Sequence, residues 1–253
     1  MAGAPAMTAP ALSVDAFRTA RADILARIAV ACALVGRNPA EVTLVAVSKT
    51  VEPERLRAAV QAGLAILGEN RVQEGVDKRP AVPGAIWHLI GSLQSNKAKR
   101  ALETFDVIQS VATVELGERL DRLAEEVRPG ERIPILVQVN IDDDPTKAGL
   151  RPAETREVVD LLLSLPRLDV RGLMTIGRFD ASQDQSRRTF GTLRELAVEL
   201  RAGRGGLGPE LSMGMSDDFE VAVQEGATIV RVGRALFGER GHQRDLGGQE
   251  RAH

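Results

Sequence analysis

The sequence predicts a closed (β/α)8 barrel preceded by one additional helix, and three observations carry that prediction. Short runs of Val, Ile, Leu and Ala recur along the chain, each followed by a segment with helical spacing. Eight such pairs fit within the ~200–250 residues that a (β/α)8 barrel occupies. The first run leads into Lys49-Thr50-Val51-Glu52-Pro53, where a doubly wound open sheet usually carries a glycine-rich turn.

Residues 1–12, rich in Ala and Pro, read as a frayed tail. Residues 13–240 read as a single barrel domain and 241–253 as a loose polar tail. Ser13 caps a helix that places Val14, Phe17, Ile24, Leu25, Ile28 and Leu34 on one spacing and ends near Gly36. Residues 42–50 form the first strand. Val and Leu on both of its faces mark a parallel strand buried on two sides, with Lys49 at its C-terminal end. A helix over 53–62 follows, with Pro53 in its first turn and Gly63 as its stop. A strand over 64–67 leads into the Gly68-Glu69-Asn70 turn, then a helix over 72–78. The alternation continues with strands over 85–90 and 105–110 and helices over 94–102 and 114–127. A long apolar strand over 133–141 ends in an Asp-rich loop before a helix over 152–164. Strands over 168–176 and 210–213 precede helices over 183–201 and 216–224. The last strand, 227–232, runs into a short helical turn over 234–237.

Composition narrows the function classes. Hydrophobic residues are 43% of 253, enough for a sizeable core, and the net charge of -2 gives no reason to expect nucleic acid or an anionic membrane as partner. Cys32 is the single cysteine, so no internal disulfide forms and a reducing compartment is expected. The longest early apolar run, 28–35, is too short to span a bilayer, and the first dozen residues lack the pattern of a secretory signal. The expected location is the cytoplasm. Besides His88, histidine occurs only at His242 and His253, so no metal-ligand spacing arises. Tyrosine is absent.

The working face of such a barrel lies at the C-terminal ends of its strands. Lys49 stands there on the first strand. Its ammonium either reaches water or, when desolvated, becomes a neutral amine able to attack a carbonyl. Ser216 and Gly233 lie after strands seven and eight, where barrels frequently hold a phosphate. Ser216 sits where a helix N-cap belongs; it is either only a cap or part of an anion cradle, and Asp217 and Asp218 compete for the same donors. Arg231, ending strand eight, either pairs with a barrel carboxylate or donates to a ligand's ring nitrogen. His88 reads as a hydrogen-bonded structural histidine. A reactive lysine on strand one and a phosphate cradle after strands seven and eight suit a phosphorylated aldehyde such as pyridoxal 5′-phosphate (PLP).

Several motifs in order resemble the pyridoxal phosphate homeostasis proteins. They are Ala46-Val47-Ser48-Lys49-Thr50, Leu67-Gly68-Glu69-Asn70, Gln73-Glu74, Trp87-His88-Leu89-Ile90-Gly91 and Leu93-Gln94-Ser95-Asn96-Lys97. Further matches are Arg171-Gly172-Leu173-Met174, Leu211-Ser212-Met213-Gly214-Met215-Ser216-Asp217-Asp218 and Val230-Arg231-Val232-Gly233. The resemblance runs from about residue 42 to 240 and implies a monomeric barrel of the alanine-racemase N-terminal-domain type. It implies PLP held as a Schiff base on Lys49, with Ser216 and the backbone of Gly233 and Arg234 on the phosphate. Arg231 would face the pyridine nitrogen and Asn70 would lie near the ring. Two positions depart from the family's pattern: Val51 stands where many relatives carry a second lysine, and the Gly177-Arg178-Phe179 loop differs.

The implied role is a non-catalytic carrier that buffers or delivers PLP, transiently to apo-enzymes, and influences amino-acid and keto-acid balance. The alternative is a PLP-dependent racemase with an unrecognised second base. Barrel racemases draw that base from a tyrosine of a partner's second domain, and this chain has neither. An arginine at the ring nitrogen also weakens the ring as an electron sink. A barrel that binds another phosphate with Lys49 unmodified is the remaining reading.

Overall fold

The computed structural model describes residues 13–202 and 205–238; the expected tails at 1–12 and 241–253, and residues 239–240 of the expected domain, lie outside the described residues. The first helix, α1 (Val14–Ala33), starts where Ser13 accepts the Ala16 N–H at 3.2 Å. Eight strands follow: β1 (Thr43–Val47), β2 (Ile66–Glu69), β3 (Ile86–Leu89), β4 (Val107–Val111), β5 (Ile133–Gln138), β6 (Leu168–Met174), β7 (Glu210–Ser212) and β8 (Ile229–Val232). Between and after them run α2 (Pro53–Gln61), α3 (Val72–Lys78), α4 (Ala98–Thr104), α5 (Val114–Val127), α6 (Pro152–Ser164), α7 (Gln183–Ala202), α8 (Phe219–Gln224) and α9 (Arg234–Phe237).

The strands pair in chain order, all parallel, and β8 closes on β1 through Val45 opposite Arg231 and Ala46 opposite Val232. The sheet is a closed barrel, as the alternation predicts. Closure leaves no sheet edge to be templated by another chain. Period-two alternation divides the apolar side chains into two cores. Val45, Val107, Leu136, Met174 and Ile229 fill the barrel, while Leu67, Trp87, Ile108, Ile135, Leu173 and Val230 face the helical ring. The additional helix α1 packs over α8, α2 and α9, covering the seam where chain start and chain end meet. Phe17 meets Phe237 edge-on at 5.5 Å, and Arg27 pairs with Glu220 while stacking over Phe219 at 4.5 Å.

Four local expectations need correction. The first strand ends at Val47, so Lys49 lies in the following turn. The second strand is shifted to Ile66–Glu69, which makes the anticipated turn residues Gly68 and Glu69 part of the barrel wall. The expected helix over 94–102 opens as a 3-10 turn, Ser95–Lys97, before α4. Ser216 is not a helix cap: residues 216–218 form a turn, and α8 starts at Phe219 after Asp218.

Candidate functional site

Val45 lies inside the barrel, and two residues beyond the end of β1 Lys49 stands in the turn at the C-terminal mouth. The half-buried Lys49 is flanked by two residues whose main chain is tied down. Ser48 donates its N–H to Gly68 O at 2.9 Å and its hydroxyl to Glu69 Oε1 at 2.8 Å. Thr50 donates its N–H to Glu74 Oε2 at 3.0 Å and holds a left-handed φ of 63°, a conformation that a β-branched residue adopts only under such constraint.

Lys78 binds the whole arrangement. Its ammonium donates to Ser48 O at 3.0 Å, to Glu69 Oε1 at 2.8 Å and to Glu74 Oε2 at 3.0 Å, using all three of its protons. Burial pushes the Glu69 carboxyl above its ordinary value, with Lys78 and Ser48 offsetting part of the rise. Burial acts on Glu74 too, but the Thr50 N–H and Lys78 outweigh it and hold that carboxyl below its ordinary value. Glu69 Oε2 is buried with no hydrogen-bond partner, a cost accepted at this spot.

Across the β1–β8 seam, Arg231 is 3% exposed and sits amid neutral groups. Its Nη1 donates to Ser212 Oγ at 2.6 Å and its Nη2 to Thr175 O at 2.7 Å. Ser212 Oγ in turn lies 2.6 Å from Gln109 Oε1, and Gln109 Nε2 lies 2.7 Å from His88 Nδ1. Among the described residues no carboxylate is hydrogen-bonded or ion-paired to Arg231. Burial lowers the guanidinium to about 10, opposed only by the field of Asp218. A buried cation with no bonded counter-charge is costly and points to an acceptor that comes from outside the chain.

The loops after β7 and β8, where a phosphate is expected, adjoin this seam. Ser216 Oγ accepts the Gly233 N–H at 3.2 Å, tying the loops after β7 and β8 together. Gly233 is small because a Cβ there would lie 3.3 Å from Val47 Cβ. The Arg234 guanidinium pairs with Asp217 and is exposed. Asp218 folds back to accept the Met215 N–H at 2.6 Å; neither aspartate takes the first-turn donors of α9. Those N–H groups, at Arg234 and Ala235, have no acceptor within the helix and remain for an anion. Asn70 is exposed just beyond β2 at the same mouth.

The structure thus gathers Lys49, Ser216, Arg231, Gly233 and Arg234 at the adjoining C-terminal ends of β1, β7 and β8, with Asn70 after β2. An amine, an uncompensated guanidinium and free main-chain donors form the set that an aldehyde, a ring nitrogen and a phosphate require. His88 bears out its structural reading through Gln109 and is held neutral, burial taking it down to about 4. Sequence reasoning missed Glu69, Glu74, Lys78, Gln109, Ser212 and Thr175 as supports. The Glu74–Lys78 spacing of four and a carboxylate beside Gly68 were the available signals.

Comparison with known proteins places the chain in a family. The family described as alanine racemase, N-terminal domain, matches residues 22–241. The pyridoxal phosphate homeostasis protein of Escherichia coli (strain K12) is 40% identical over 233 residues, 88% of this chain and 96% of that protein. Its counterpart in Aquifex aeolicus (strain VF5) is 41% identical over 219 residues, 86% of this chain and 95% of that one. The structure of PipY from Synechococcus elongatus PCC7942 with PLP bound superposes with a TM-score of 0.74 at 42% identity, covering 85% of this chain and 100% of PipY. Alanine racemase from Clostridium difficile 630 shares the fold, with a TM-score of 0.72 at 15% identity over 92% of this chain and 62% of the racemase. Fold and matched span define the class, the alanine racemase N-terminal-domain barrels. Within that class, the chain belongs to the pyridoxal phosphate homeostasis proteins.

Proposed function

We propose that this chain is a non-catalytic PLP-binding protein that holds the cofactor as a Schiff base on Lys49. The observation that carries the reading is Arg231, a buried cation with only neutral protein partners, across the seam from Lys49. A pyridine nitrogen is the acceptor such a guanidinium lacks. The Lys49 amine adds to the aldehyde carbon and one water leaves, so the group is held covalently without an external reactant. Main-chain N–H groups at Arg234 and Ala235 and the Ser216 hydroxyl proton meet the phosphate, Gly233 fixing Ser216 through its own N–H and leaving the room, and Asn70 lines the ring's edge.

Arg231 keeps its own proton and leaves the ring nitrogen as an acceptor, which makes the ring a poor electron sink. Reversible capture without efficient carbanion chemistry suits a protein that buffers PLP inside the cell and passes it to apo-enzymes. Its effect on amino-acid and keto-acid balance is then indirect. We read it as a cytoplasmic monomer; among the described residues no helix is long and apolar enough to cross a membrane. The racemase alternative requires a second base opposite Lys49, and the chain's lack of tyrosine removes the usual one.

The test is borohydride reduction of the PLP-loaded protein followed by peptide mass spectrometry, with Lys49→Ala alongside. The expected result is one reduced adduct on Lys49, absent from the variant. Label scattered over surface lysines would overturn the reading.

A further inference from the structure

Arg231, Ser212, Gln109 and His88 form an unbroken hydrogen-bonded chain across the barrel interior. It runs from the C-terminal mouth to His88, whose ring borders a cavity of about 450 Å³ at the N-terminal mouth. Side-chain chemistry fixes its direction. A guanidinium only donates, so Ser212 Oγ accepts from Arg231. The one hydroxyl proton of Ser212 is then directed to Gln109 Oε1, and the amide's other end donates to His88 Nδ1. The reversed amide would leave that hydroxyl proton without an acceptor in the chain. The proton of the neutral His88 ring therefore sits on Nε2, and Nδ1 is bare.

We propose that Ser212, Gln109 and His88 are positioning residues whose one-way chain sets the direction of the Arg231 guanidinium, and through it the surroundings of the cofactor's ring nitrogen. A serine hydroxyl rotates almost freely, and no carboxylate holds Arg231. With Nη2 held by Thr175 O, the demand of Gln109 Oε1 for the Ser212 proton secures the Oγ lone pair turned toward Arg231 Nη1. Gln109 keeps that orientation because a bare Nδ1 receives its N–H. The burial that disfavours a charged His88 preserves that bare nitrogen. The inference rests on the reading that Arg231 meets the ring nitrogen.

The experiment compares wild type, Gln109→Met and Gln109→Glu. Methionine fills the volume but neither donates nor accepts strongly. Glutamate still accepts the Ser212 proton, and it draws a proton onto His88 Nδ1. Nitrogen-15 spectra of the apo proteins read the His88 tautomer and the exchange rate of the Arg231 side-chain N–H. Absorbance titration against pH reads the ring environment of the PLP-loaded proteins. In wild type, Nδ1 is unprotonated and the Arg231 N–H exchanges slowly. Gln109→Met speeds that exchange, shifts the pH titration of the bound chromophore and weakens PLP retention about tenfold. Gln109→Glu protonates Nδ1 yet keeps the slow Arg231 N–H exchange of wild type, because its carboxylate still takes the Ser212 proton, which a merely structural role for Gln109 would not produce. A wild-type His88 protonated on Nδ1, or a Gln109→Met chromophore identical to wild type, overturns the proposal. Failure of the wild type to take up PLP sinks the binding role instead, and the apo spectra still decide the chain's direction.

Discussion

Two buried cations support the mouth of this barrel, and their surroundings are opposite. Lys78 lies between two carboxylates and a carbonyl, with every ammonium proton used. Arg231 lies against a hydroxyl and a carbonyl, with no bonded counter-charge among the described residues. Both pay desolvation, but only Lys78 recovers it within the protein. The difference separates their tasks. A compensated cation is a fastener, here for the Ser48-Lys49-Thr50 turn. An uncompensated one is a receptor, because its missing partner must arrive from outside.

The largest effect expected from this contrast is on Lys78. Replacing it by Met leaves Glu69 and Glu74 facing each other and the Ser48 carbonyl with only the Val51 N–H. Breaking one side of a buried ion pair costs about 3–5 kcal/mol. Urea unfolding of the apo protein should show that loss, and Lys78→Met/Glu69→Leu should recover part of it by removing the orphaned charge. A double variant as unstable as the single one would mean that Lys78 acts through packing and not through charge compensation.

The barrel itself was legible because each strand is a compact Val, Ile and Leu run, and runs buried on both faces have few other uses. What stayed illegible came from tertiary partners. Gly68 and Glu69 read as a turn, yet both lie in β2: a Cβ at Gly68 would stand 2.8 Å from Val45, and Glu69 is buried only because Lys78 meets it. Ser216 reads as a cap by residue type, but Asp218 takes the Met215 N–H and delays α8 by a turn. Gln109 lies in a wholly buried strand and is uninformative until Ser212, more than a hundred residues away, closes on it. Lys49, Arg231 and the loops after β7 and β8 were legible as candidate site residues because strand ends in a barrel converge. Why Arg231 lacks a carboxylate was not.

The neutral arrangement makes its own prediction in pH. His88, 6% exposed, is lowered from an ordinary 6.5 to about 4 by burial, with Asp106 opposing and Arg171 adding to the shift. The unfolded chain takes up this proton near 6.5, whereas the folded chain resists until about 4. Stability from a neutral His88 is therefore complete above pH 6.5 and lost as pH falls to about 4, by about 3 kcal/mol. Glu69, Asp218 and Glu210, pushed up by burial, titrate with the opposite sign. The His88 contribution is accordingly read as the difference between wild type and His88→Gln across that window. A difference independent of pH would show that the buried imidazole is not held neutral.

The smallest expected change in stability is at Arg231, and it sharpens the contrast most. Arg231→Met deletes a charge that the fold does not compensate, so relief from desolvation offsets the two lost hydrogen bonds. Apo stability should stay within about 1 kcal/mol of wild type. PLP retention should fall about thirtyfold or more, the usual worth of a charge-assisted hydrogen bond. The same substitution at Lys78 costs stability first and cofactor only through the disordered Lys49 turn. An Arg231→Met protein that unfolds as readily as Lys78→Met would mean that the guanidinium is compensated within the fold, and the case for an external acceptor would go with it. An apo protein as stable as wild type, unable to retain PLP, is the outcome that a receptor cation requires.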